Sequence, residues 1–352
     1  MLPRETTRKI NIGRLTIGGQ NRVLIQSMCN IKTERASEVI AQINKAAKLG
    51  ADLMRVSVLD ENDAKAIAEI KRHISLPLVA DIHFDYRLAL LAIENGIDKI
   101  RINPGNIGSE EKIKIIVDAC KKHHVPIRVG VNSGSIAKEI ANDNTLSSTE
   151  KLVLSAKTHV AILEKMGFYD IVISLKGSNV LETIEAYKKA NDTFPYPLHL
   201  GITEAGPKDI GLIRSAAGLS PLLIGGIGDT IRISLSDEPE EEILAAKRLL
   251  HDLDLYKNYP TIISCPTCGR TQVDVVPMSK RVLKYLEDNN LNLKIAIMGC
   301  VVNGPGEAKD ADYGMAGGHG IWVLFKKGNL LRSVKDEEAF DELKKEIEKD
   351  IT

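Results

Sequence analysis

The chain has 352 residues, enough for about two domains of ordinary size. Its 43% hydrophobic and 27% charged residues exclude a disordered chain, and the balance of 47 basic against 47 acidic residues disfavours a nucleic-acid-binding protein, which usually carries a positive excess. Because no apolar run is long enough for a membrane helix and the N-terminal segment lacks a signal-peptide pattern, we expect a cytoplasmic protein.

The first predicted elements are a short hairpin and a series of strands. Residues 9–18 alternate apolar and polar side chains around a central glycine, which is typical of a hairpin. Eight β-rich runs follow, each with a helical pattern behind it, and they begin near Leu24, Leu53, Leu78, Lys99, Ile127, Ile171, Leu198 and Ile231. The runs start about 30 residues apart, which leaves room for one strand, one helix and two loops, as parallel strands require.

The helical patterns carry their own start and stop signals. A helix over 34–49 ends at Gly50, Ser147 and Glu150 form a capping box for another, and Pro239 begins the eighth. Eight strand–helix units predict an α/β protein with a (β/α)8 TIM barrel, whose bottom the hairpin would plug. A doubly wound open sheet remains the alternative, since spacing does not prove closure.

Polar side chains, most of them two residues apart, mark the ends of the predicted strands. They are Arg55, Ser57, Asp81, His83, Arg101, Asn103, Arg128, Asn132, Ser174, Lys176, His199, Thr203, Arg232 and Ser234. Barrel enzymes place their chemistry at this end of the strands, and side chains two apart share a face. Either these side chains line the mouth of the barrel, or they turn toward the helices and pair with acids.

Five of these residues are cations, and few acids accompany them. They are Arg55, Arg101, Arg128, Lys176 and Arg232. A neutral chain that concentrates positive charge at one mouth is expected to bind a small, multiply anionic ligand, and arginine in particular suggests phosphate oxygens.

Glu204 closes the seventh predicted strand. A carboxyl group at this position is a candidate general acid. The alternative interpretation is an acid near the N-terminus of the following helix.

The last hundred residues predict a separate small domain of α+β class. A helix over 279–288, a strand over 293–298, a hairpin over 321–334 and a helix from Glu337 supply its elements. With the boundary near 254–260, we expect a barrel domain over 1–254 and a second domain over 261–352.

Three cysteines indicate a metal centre in this second domain. Cys265 and Cys268 share a tight turn, and Cys300 follows a predicted strand. Zinc could take His319 as its fourth ligand, whereas an iron–sulfur cluster would need a carboxylate such as Glu307, because no further cysteine is near. Spacing alone leaves both open, and a redox dithiol at the first two cysteines is less favoured.

Ten stretches of this sequence resemble one known family, the bacterial 4-hydroxy-3-methylbut-2-en-1-yl diphosphate synthases of the non-mevalonate isoprenoid pathway. They are SMC at 27–29, MRVS at 54–57, DIH at 81–83, KIRINPG at 99–105, RVGVNSG at 128–134, SLKGS at 174–178, LGITEAG at 200–206, GIGDTIRIS at 226–234, CPTCGR at 265–270 and MGCVVNGPGE at 298–307. The stretches cover nearly the whole chain, and departures such as Ile233, where valine is expected, are conservative.

The resemblance implies an iron–sulfur oxidoreductase. Its [4Fe–4S] cluster would be held by Cys265, Cys268, Cys300 and Glu307, which favours iron over zinc. Its substrate would be 2-C-methyl-D-erythritol 2,4-cyclodiphosphate, opened and dehydroxylated with two electrons from flavodoxin or ferredoxin.

The resemblance also implies roles at the barrel mouth. The cyclic diphosphate would lie against the five cations, with Asn103 and Ser234 donating hydrogen bonds. Glu204 would be the acid that assists departure of the hydroxyl group, and Asn303 would orient the substrate over the cluster.

The direction of the chain adds an expectation about assembly. In a barrel each helix runs back to the bottom, so the eighth helix, over about 239–252, delivers the chain to the face opposite the mouth. A head-to-tail homodimer, in which each second domain covers the barrel of its partner, would bring the two sites together.

Two other functions stay open from the residues alone. One is a barrel enzyme acting on a phosphorylated pterin or sugar, with a structural zinc domain. The other is a non-enzymatic iron sensor or nucleic-acid-binding module, against which the neutral charge and the cations at the mouth both argue.

Overall fold

The structure is a computed structural model that describes residues 2–300 and 309–351. Two of the predicted site residues, Asn303 and Glu307, lie outside these described residues. The fold divides into two compact units, Met1–Leu255 and Tyr256–Thr352. No helix in the described part of the chain is both long and apolar enough to cross a membrane.

The first unit opens with a plug. A short helix, α1 (Pro3–Thr6), precedes strands β1 (Ile10–Ile12) and β2 (Leu15–Ile17), which pair antiparallel. The isoleucines of this hairpin are buried against the apolar residues that begin the barrel strands, among them Leu24, Leu53, Val79 and Val172. The predicted hairpin and its place at the bottom of the barrel are therefore confirmed.

Eight parallel strands and their helices follow. They are β3 (Leu24–Met28), α2 (Ala36–Leu49), β4 (Leu53–Ser57), α3 (Glu61–His73), β5 (Leu78–Asp81), α4 (Tyr86–Glu94), β6 (Lys99–Ile102), α5 (Pro104–Ile107), α6 (Glu110–His123), β7 (Ile127–Asn132), α7 (Lys138–Ala141), α8 (Ser148–Lys165), β8 (Ile171–Lys176), α9 (Val180–Thr193), β9 (His199–Ile202), α10 (Lys208–Ile224), β10 (Thr230–Ile233) and α11 (Pro239–Asp252).

The sheet closes on itself. Strands β3 to β8 pair in sequence, β10 pairs with both β3 and β9, and a bridge between Ile173 and Leu198 joins β8 to β9. The predicted (β/α)8 barrel is confirmed, and the open-sheet alternative is wrong. Closure brings the carboxyl ends of all eight strands to one mouth.

Local sequence signals place several helices as predicted. The Ser147 hydroxyl accepts a hydrogen bond from the Glu150 backbone N–H at 3.2 Å, which caps α8. Gly50 adopts a left-handed φ of 99° where α2 ends. Pro239 occupies the first turn of α11, where its missing N–H costs nothing.

In its described residues, 256–300 and 309–351, the second unit has a five-stranded sheet and two α-helices. Its elements are β11 (Thr261–Ser264), α12 (Val275–Asp288), β12 (Lys294–Met298), β13 (Tyr313–Gly318), β14 (Ile321–Lys326), β15 (Asn329–Lys335) and α13 (Ala339–Ile351). The first three strands pair parallel and the last two antiparallel. Residues of both helices, such as Val282 and Leu343, share one core with Trp322. The parallel pair β11–β12 ends beside the three cysteines.

Candidate active site

The predicted polar residues gather at the mouth of the barrel. A cavity of about 320 Å³ lies there, and its lining residues are Arg55, Arg128, Ser174, Lys176, Tyr187, His199, Gly201, Thr203, Arg232 and Ser234. All of these except Tyr187 and Gly201 were predicted as site residues from the strand ends. Four of the five predicted cations, Arg55, Arg128, Lys176 and Arg232, therefore line the mouth cavity, whereas Arg101 does not.

Arg128 carries a buried charge with unused donors. Arg128 is only 2% exposed, and its Nε and Nη1 atoms have no hydrogen-bond partner among the described residues. Burial lowers the pKa of Arg128, and the neighbouring charges of Arg55 and Arg101 lower it further. A buried charge without an acid beside it is costly, so the arrangement favours an anionic ligand with several oxygens.

Asp81 is the acid of the mouth. Its carboxylate lies 3.1 Å from Arg101 Nη1, 3.9 Å from Arg55 Nε and 3.6 Å from His83 Nε2. Burial raises the pKa of Asp81, but the hydrogen bond from His83 and the charges of the arginines outweigh it and hold that pKa well below its usual range. The single negative charge of Asp81 therefore lies beside two positively charged arginines, Arg101 and Arg55, and the mouth keeps an excess of positive charge.

Met28 lies between two of the guanidinium groups. Its sulfur accepts from Arg55 Nε at 3.0 Å and Nη2 at 2.8 Å, and Arg232 Nη1 lies 3.6 Å away. A thioether is a weak acceptor without charge, so it orients the guanidinium groups and leaves their charge available. Met28 is not among the predicted site residues, although it belongs to the SMC stretch at 27–29.

Arg232 has a strong partner. Its Nε and Nη2 donate to Glu242 of α11 at 3.2 and 3.1 Å. The alternative that cations pair with acids therefore holds for Arg232, for Arg101 and, at the longer distance of 3.9 Å, for Arg55, but no ion pair of Arg128 is seen among the described residues.

Burial shapes the protonation of the other mouth residues. It lowers the pKa of Lys176 to about 8, with the charges of Arg55 and other arginines as the second cause. Burial also lowers the pKa of Arg55 to about 10. His199 is buried with Nδ1 2.7 Å from Thr230 Oγ1, and burial followed by the charge of Arg128 places its pKa well below 6.5. The imidazole is therefore neutral at neutral pH.

A fully buried lysine lies in the barrel below the mouth. Lys99, the first residue of β6, places Nζ 3.5 Å from Gln26 Oε1. Burial, with the charges of Arg128 and Arg55 after it, lowers the pKa of Lys99 well below its usual value. Sequence analysis had placed Lys99 only at a strand start.

The remaining predicted residues lie at the rim. Asn103 is buried and accepts a hydrogen bond from the Gly105 N–H at 3.1 Å, which caps the short helix α5. His83 is exposed, whereas Ser57 and Asn132 are half-buried at the ends of β4 and β7.

Glu204 lies on a second, neighbouring cavity. It is exposed, and this cavity, of about 580 Å³, shares Thr203 with the first. Its φ of 57° is in the left-handed region, which non-glycine residues rarely adopt outside functional sites and turns. Because α10 begins at Lys208 with Pro207 as its N-cap, Glu204 is not a helix cap. Arg214 Nη1 donates to the Ala205 carbonyl at 3.0 Å and ties down this loop.

The three cysteines of the second unit line one cavity of about 630 Å³. Its lining residues are Cys265, Pro266, Cys268, Arg270, Thr271, Met298, Gly299 and Cys300. The Gly299 N–H donates to Cys265 Sγ at 3.1 Å, and hydrogen bonds from Arg270 lower the pKa of Cys268. The lowered pKa of Cys268 favours its thiolate, the form that binds metals.

The cysteine cavity fits an iron–sulfur cluster by its donor chemistry. Three thiols surround a common space, although within residues 2–300 and 309–351 no three His, Cys, Asp or Glu side chains converge closely enough to hold a single metal ion. His319, the fourth ligand of the zinc alternative, does not line this cavity, and its Nε2 lies 3.4 Å from Gln272 Nε2.

Comparison with known proteins gives a consistent answer over both units. Family models described as the GcpE TIM-barrel domain and the GcpE protein C-terminal domain match residues 7–247 and 261–349. A relative from Fusobacterium nucleatum is 52% identical over 345 residues, and one from Caldanaerobacter subterraneus subsp. tengcongensis is 54% identical over 346. In both cases the match covers 98% of each chain, and both relatives are called 4-hydroxy-3-methylbut-2-en-1-yl diphosphate synthase (flavodoxin).

The solved structures that are similar support the barrel alone. Dihydropteroate synthase from Stenotrophomonas maltophilia superimposes with a TM-score of 0.54 at 14% identity, covering 70% of this chain and 97% of that one. The enzyme from Yersinia pestis gives 0.52 at 10% identity, with 70% and 99% covered. At such identities the likeness shows a shared fold and says nothing about substrate.

Proposed function

The chain belongs to the GcpE family of 4-hydroxy-3-methylbut-2-en-1-yl diphosphate synthases, and from this premise we propose that its barrel mouth binds the cyclic diphosphate and its cysteine cavity holds a [4Fe–4S] cluster. The protein is an oxidoreductase of isoprenoid biosynthesis that converts 2-C-methyl-D-erythritol 2,4-cyclodiphosphate to 4-hydroxy-3-methylbut-2-en-1-yl diphosphate. The runner-up function, a barrel enzyme on a pterin or sugar, is therefore wrong.

The observation that carries the binding proposal is the surplus of buried guanidinium donors. Arg128 has two donors without partners among the described residues, and Arg55 is held mainly by the sulfur of Met28. Diphosphate oxygens are stronger acceptors than a thioether and would bind both groups bidentately. The protonated Lys176 and the hydroxyl groups of Ser174 and Ser234 would complete this ring, with Arg101, Arg232, Asn103, Asn132, His83, His199 and Thr203 around it.

The chemistry needs a proton donor for the departing hydroxyl group. Ring opening breaks the bond between a carbon and a phosphate oxygen, two electrons enter, and one oxygen leaves as water. Glu204 is the proposed donor because its left-handed backbone directs it to a cavity that adjoins the diphosphate site through Thr203. Asn303 is proposed to orient the substrate, on the family resemblance alone.

The cluster, once bound, supplies the two electrons one at a time. Cys265, Cys268 and Cys300 are its proposed thiolate ligands, and Glu307 is the proposed fourth ligand from the family resemblance. A hard carboxylate is a weaker partner for cluster iron than a thiolate, so Glu307 would hold its iron less tightly than the three cysteines would hold theirs. The electron donor is proposed to be flavodoxin, as the names of the relatives state, with ferredoxin as the alternative carrier.

A head-to-tail homodimer is the proposed assembly. Helix α11 runs from the mouth toward the bottom of the barrel and ends at Asp252, so the chain leaves the first unit on the face away from the diphosphate site. Exchange of second units between two chains would place a cluster at each mouth.

The direct test of this function is anaerobic turnover. Full-length protein, reconstituted with iron and sulfide, should be brown and should convert the cyclic diphosphate to the linear diphosphate with reduced flavodoxin. Glu204→Gln should retain the colour and substrate binding and lose at least a hundredfold in kcat. A colourless zinc protein, or a brown protein that leaves the cyclic diphosphate intact, would refute the proposal.

A further inference from the structure

We propose that Glu242, a residue of helix α11, is the positioning residue of Arg232, and that Ser27 holds Glu242 in place. This inference rests on the proposed function, because it assigns how one cation of the diphosphate site is oriented. Nothing in the comparisons or the predicted motifs singles out Glu242.

The carboxylate of Glu242 is enclosed by donors. The residue is 3% exposed, and Oε2 accepts from Ser27 Oγ at 2.7 Å and from Arg232 Nε at 3.2 Å. Oε1 accepts from Arg232 Nη2 at 3.1 Å and from the Leu235 backbone N–H at 3.0 Å. Four hydrogen bonds from β3, β10 and the loop after β10 fix the carboxylate in one orientation.

This geometry determines which part of Arg232 reaches the mouth. Glu242 accepts hydrogen bonds from Nε and Nη2 of Arg232, which is the bidentate arrangement that arginine makes with carboxylates. The remaining amino group, Nη1, lies toward the cavity, 3.6 Å from the Met28 sulfur. Arg232 is thereby presented to a ligand with one donor group and little freedom to turn away.

The other acids of the same helix turn do something different. Glu240 and Glu241 are half-buried, and they pair with Lys45 and Lys208 at 3.0 and 2.7 Å. Glu242 alone of the three is buried among strand residues. A buried ion pair adds little net stability over an apolar replacement, so the arrangement is better explained by the orientation it imposes on Arg232.

The loop that follows β10 is part of the same arrangement. The Leu235 N–H is held by Glu242, and its neighbour Ser234 lines the mouth cavity. Loss of the carboxylate would therefore loosen two lining residues together, Arg232 and Ser234.

The test compares ligand binding by single and double variants of the full-length protein. Glu242→Gln keeps the size of the side chain, but its amide nitrogen would face donors that need an acceptor. We expect the Kd for inorganic pyrophosphate, measured by calorimetry at pH 7, to rise roughly tenfold, and the KM for the cyclic diphosphate to rise equally while kcat changes less than threefold. Arg232→Met should weaken pyrophosphate at least as much, and the double variant should be no weaker than Arg232→Met alone.

Two further variants separate positioning from stability. Ser27→Ala removes one of the four donors and should raise the Kd for pyrophosphate about two- to threefold, measured well below a melting temperature that falls because a hydrogen bond to a buried carboxylate is lost. Glu342→Gln, which alters a surface carboxylate paired with Arg332 and Lys345 in the second unit, is the matched control and should leave binding unchanged.

The outcomes are distinguishable. If Arg232→Met weakens pyrophosphate and Glu242→Gln does not, or if their effects add in the double variant, the positioning role is overturned and the diphosphate site stands. If Glu242→Gln lowered kcat at constant KM, the variant would contain fewer folded molecules, and this result would also overturn the positioning role of Glu242. If Arg232→Met itself binds pyrophosphate like the wild type, the proposed anion site fails, and the role of Glu242 with it.

Discussion

Arg101 and Arg128 are both buried arginines of the barrel mouth, but their charges face different surroundings. Arg101 has the Asp81 carboxylate at 3.1 Å, whereas Arg128 has two unpartnered donors among the described residues. Arg101 therefore stabilises the fold through its ion pair and also contributes to ligand binding. Arg128 contributes to ligand binding but destabilises the fold, because its charge is buried without a paired acid among the described residues.

Substituting each arginine by methionine should separate these two effects. Arg101→Met leaves Asp81 buried with a weaker set of partners and should lower the free energy of unfolding by about 3–5 kcal/mol. Arg128→Met removes an uncompensated charge and should leave that free energy unchanged or higher, while the KM for the cyclic diphosphate rises by about a hundredfold. Urea denaturation and steady-state kinetics measure both, and an Arg128→Met variant with normal KM would contradict the assignment.

Lys176 should make substrate binding sensitive to alkaline pH. Burial lowers its pKa to about 8, so the free protein loses this charge as the pH rises through about 8. The cyclic diphosphate has no ionisation in that range, so its KM should rise about fivefold between pH 8 and pH 9. Lys176→Arg keeps the charge and should hold KM nearly constant over that interval. Equal pH dependence in both proteins would show that another group is responsible.

The lowered pKa of Lys176 also makes the free energy of unfolding depend on pH. The lysine pKa is lower in the folded than in the unfolded chain, so between about pH 8 and its ordinary value near 10.5 the unfolded chain binds more protons. The contribution of Lys176 to the free energy of unfolding therefore becomes more favourable as the pH rises through this window. Below pH 8 the cost of holding the buried charge is present in full.

At the scale of elements, strand β7 must leave space for its neighbour. A Cβ atom at Gly130 of β7 would lie 2.6 Å from Nε of Arg101, which belongs to β6. Only glycine therefore leaves enough space beside β7 for the guanidinium group of Arg101. Gly130→Ala should lower stability by about 1–3 kcal/mol and raise KM roughly tenfold, because Arg101 must move.

Gly134, just after the same strand, supplies the matched control. A Cβ atom there would meet no heavy atom of the described residues within 4 Å, so Gly134→Ala should behave like the wild type. Similar losses in both variants would mean that backbone flexibility, and not the space beside Arg101, is what matters.

The strand ends were predictable because parallel strands share one carboxyl edge and side chains two apart share one face. The partners from outside the barrel were not predictable. Glu242 belongs to a run of acids in the first turn of α11, which typically complements the helix dipole, so nothing in its pattern distinguishes it from its less buried neighbours. Met28 was missed because an apolar side chain at a strand end is normally core.

At the scale of the whole molecule, the number of strand–helix units predicted the barrel, but closure depends on long-range contacts. The bridge between Ile173 and Leu198 joins β8 to β9. The spacing of the strands along the sequence is equally compatible with an open sheet in which these two strands are the unpaired edges. The second unit was predictable from its hairpin and helices, although α12 begins at Val275, four residues before the predicted start.

The proposed dimer predicts complementation between defective chains. Cys300→Ala removes a proposed cluster ligand, and Glu204→Ala removes the proposed acid of the barrel. If each active site combines the barrel of one chain with the second unit of its partner, mixing and refolding the two variants should restore up to about a quarter of wild-type activity per chain. A mixture that stays as inactive as its components would show that each chain uses its own two units.

The most direct test of the whole account is electron paramagnetic resonance of the anaerobic, dithionite-reduced protein during titration with the cyclic diphosphate. We expect the wild-type protein to show the signal of a reduced [4Fe–4S] cluster, and this signal to change as substrate binds. The Arg128→Met variant should need about a hundredfold more substrate for the same change. A cluster signal unaffected by saturating substrate, or no cluster signal in iron-reconstituted protein, would contradict it.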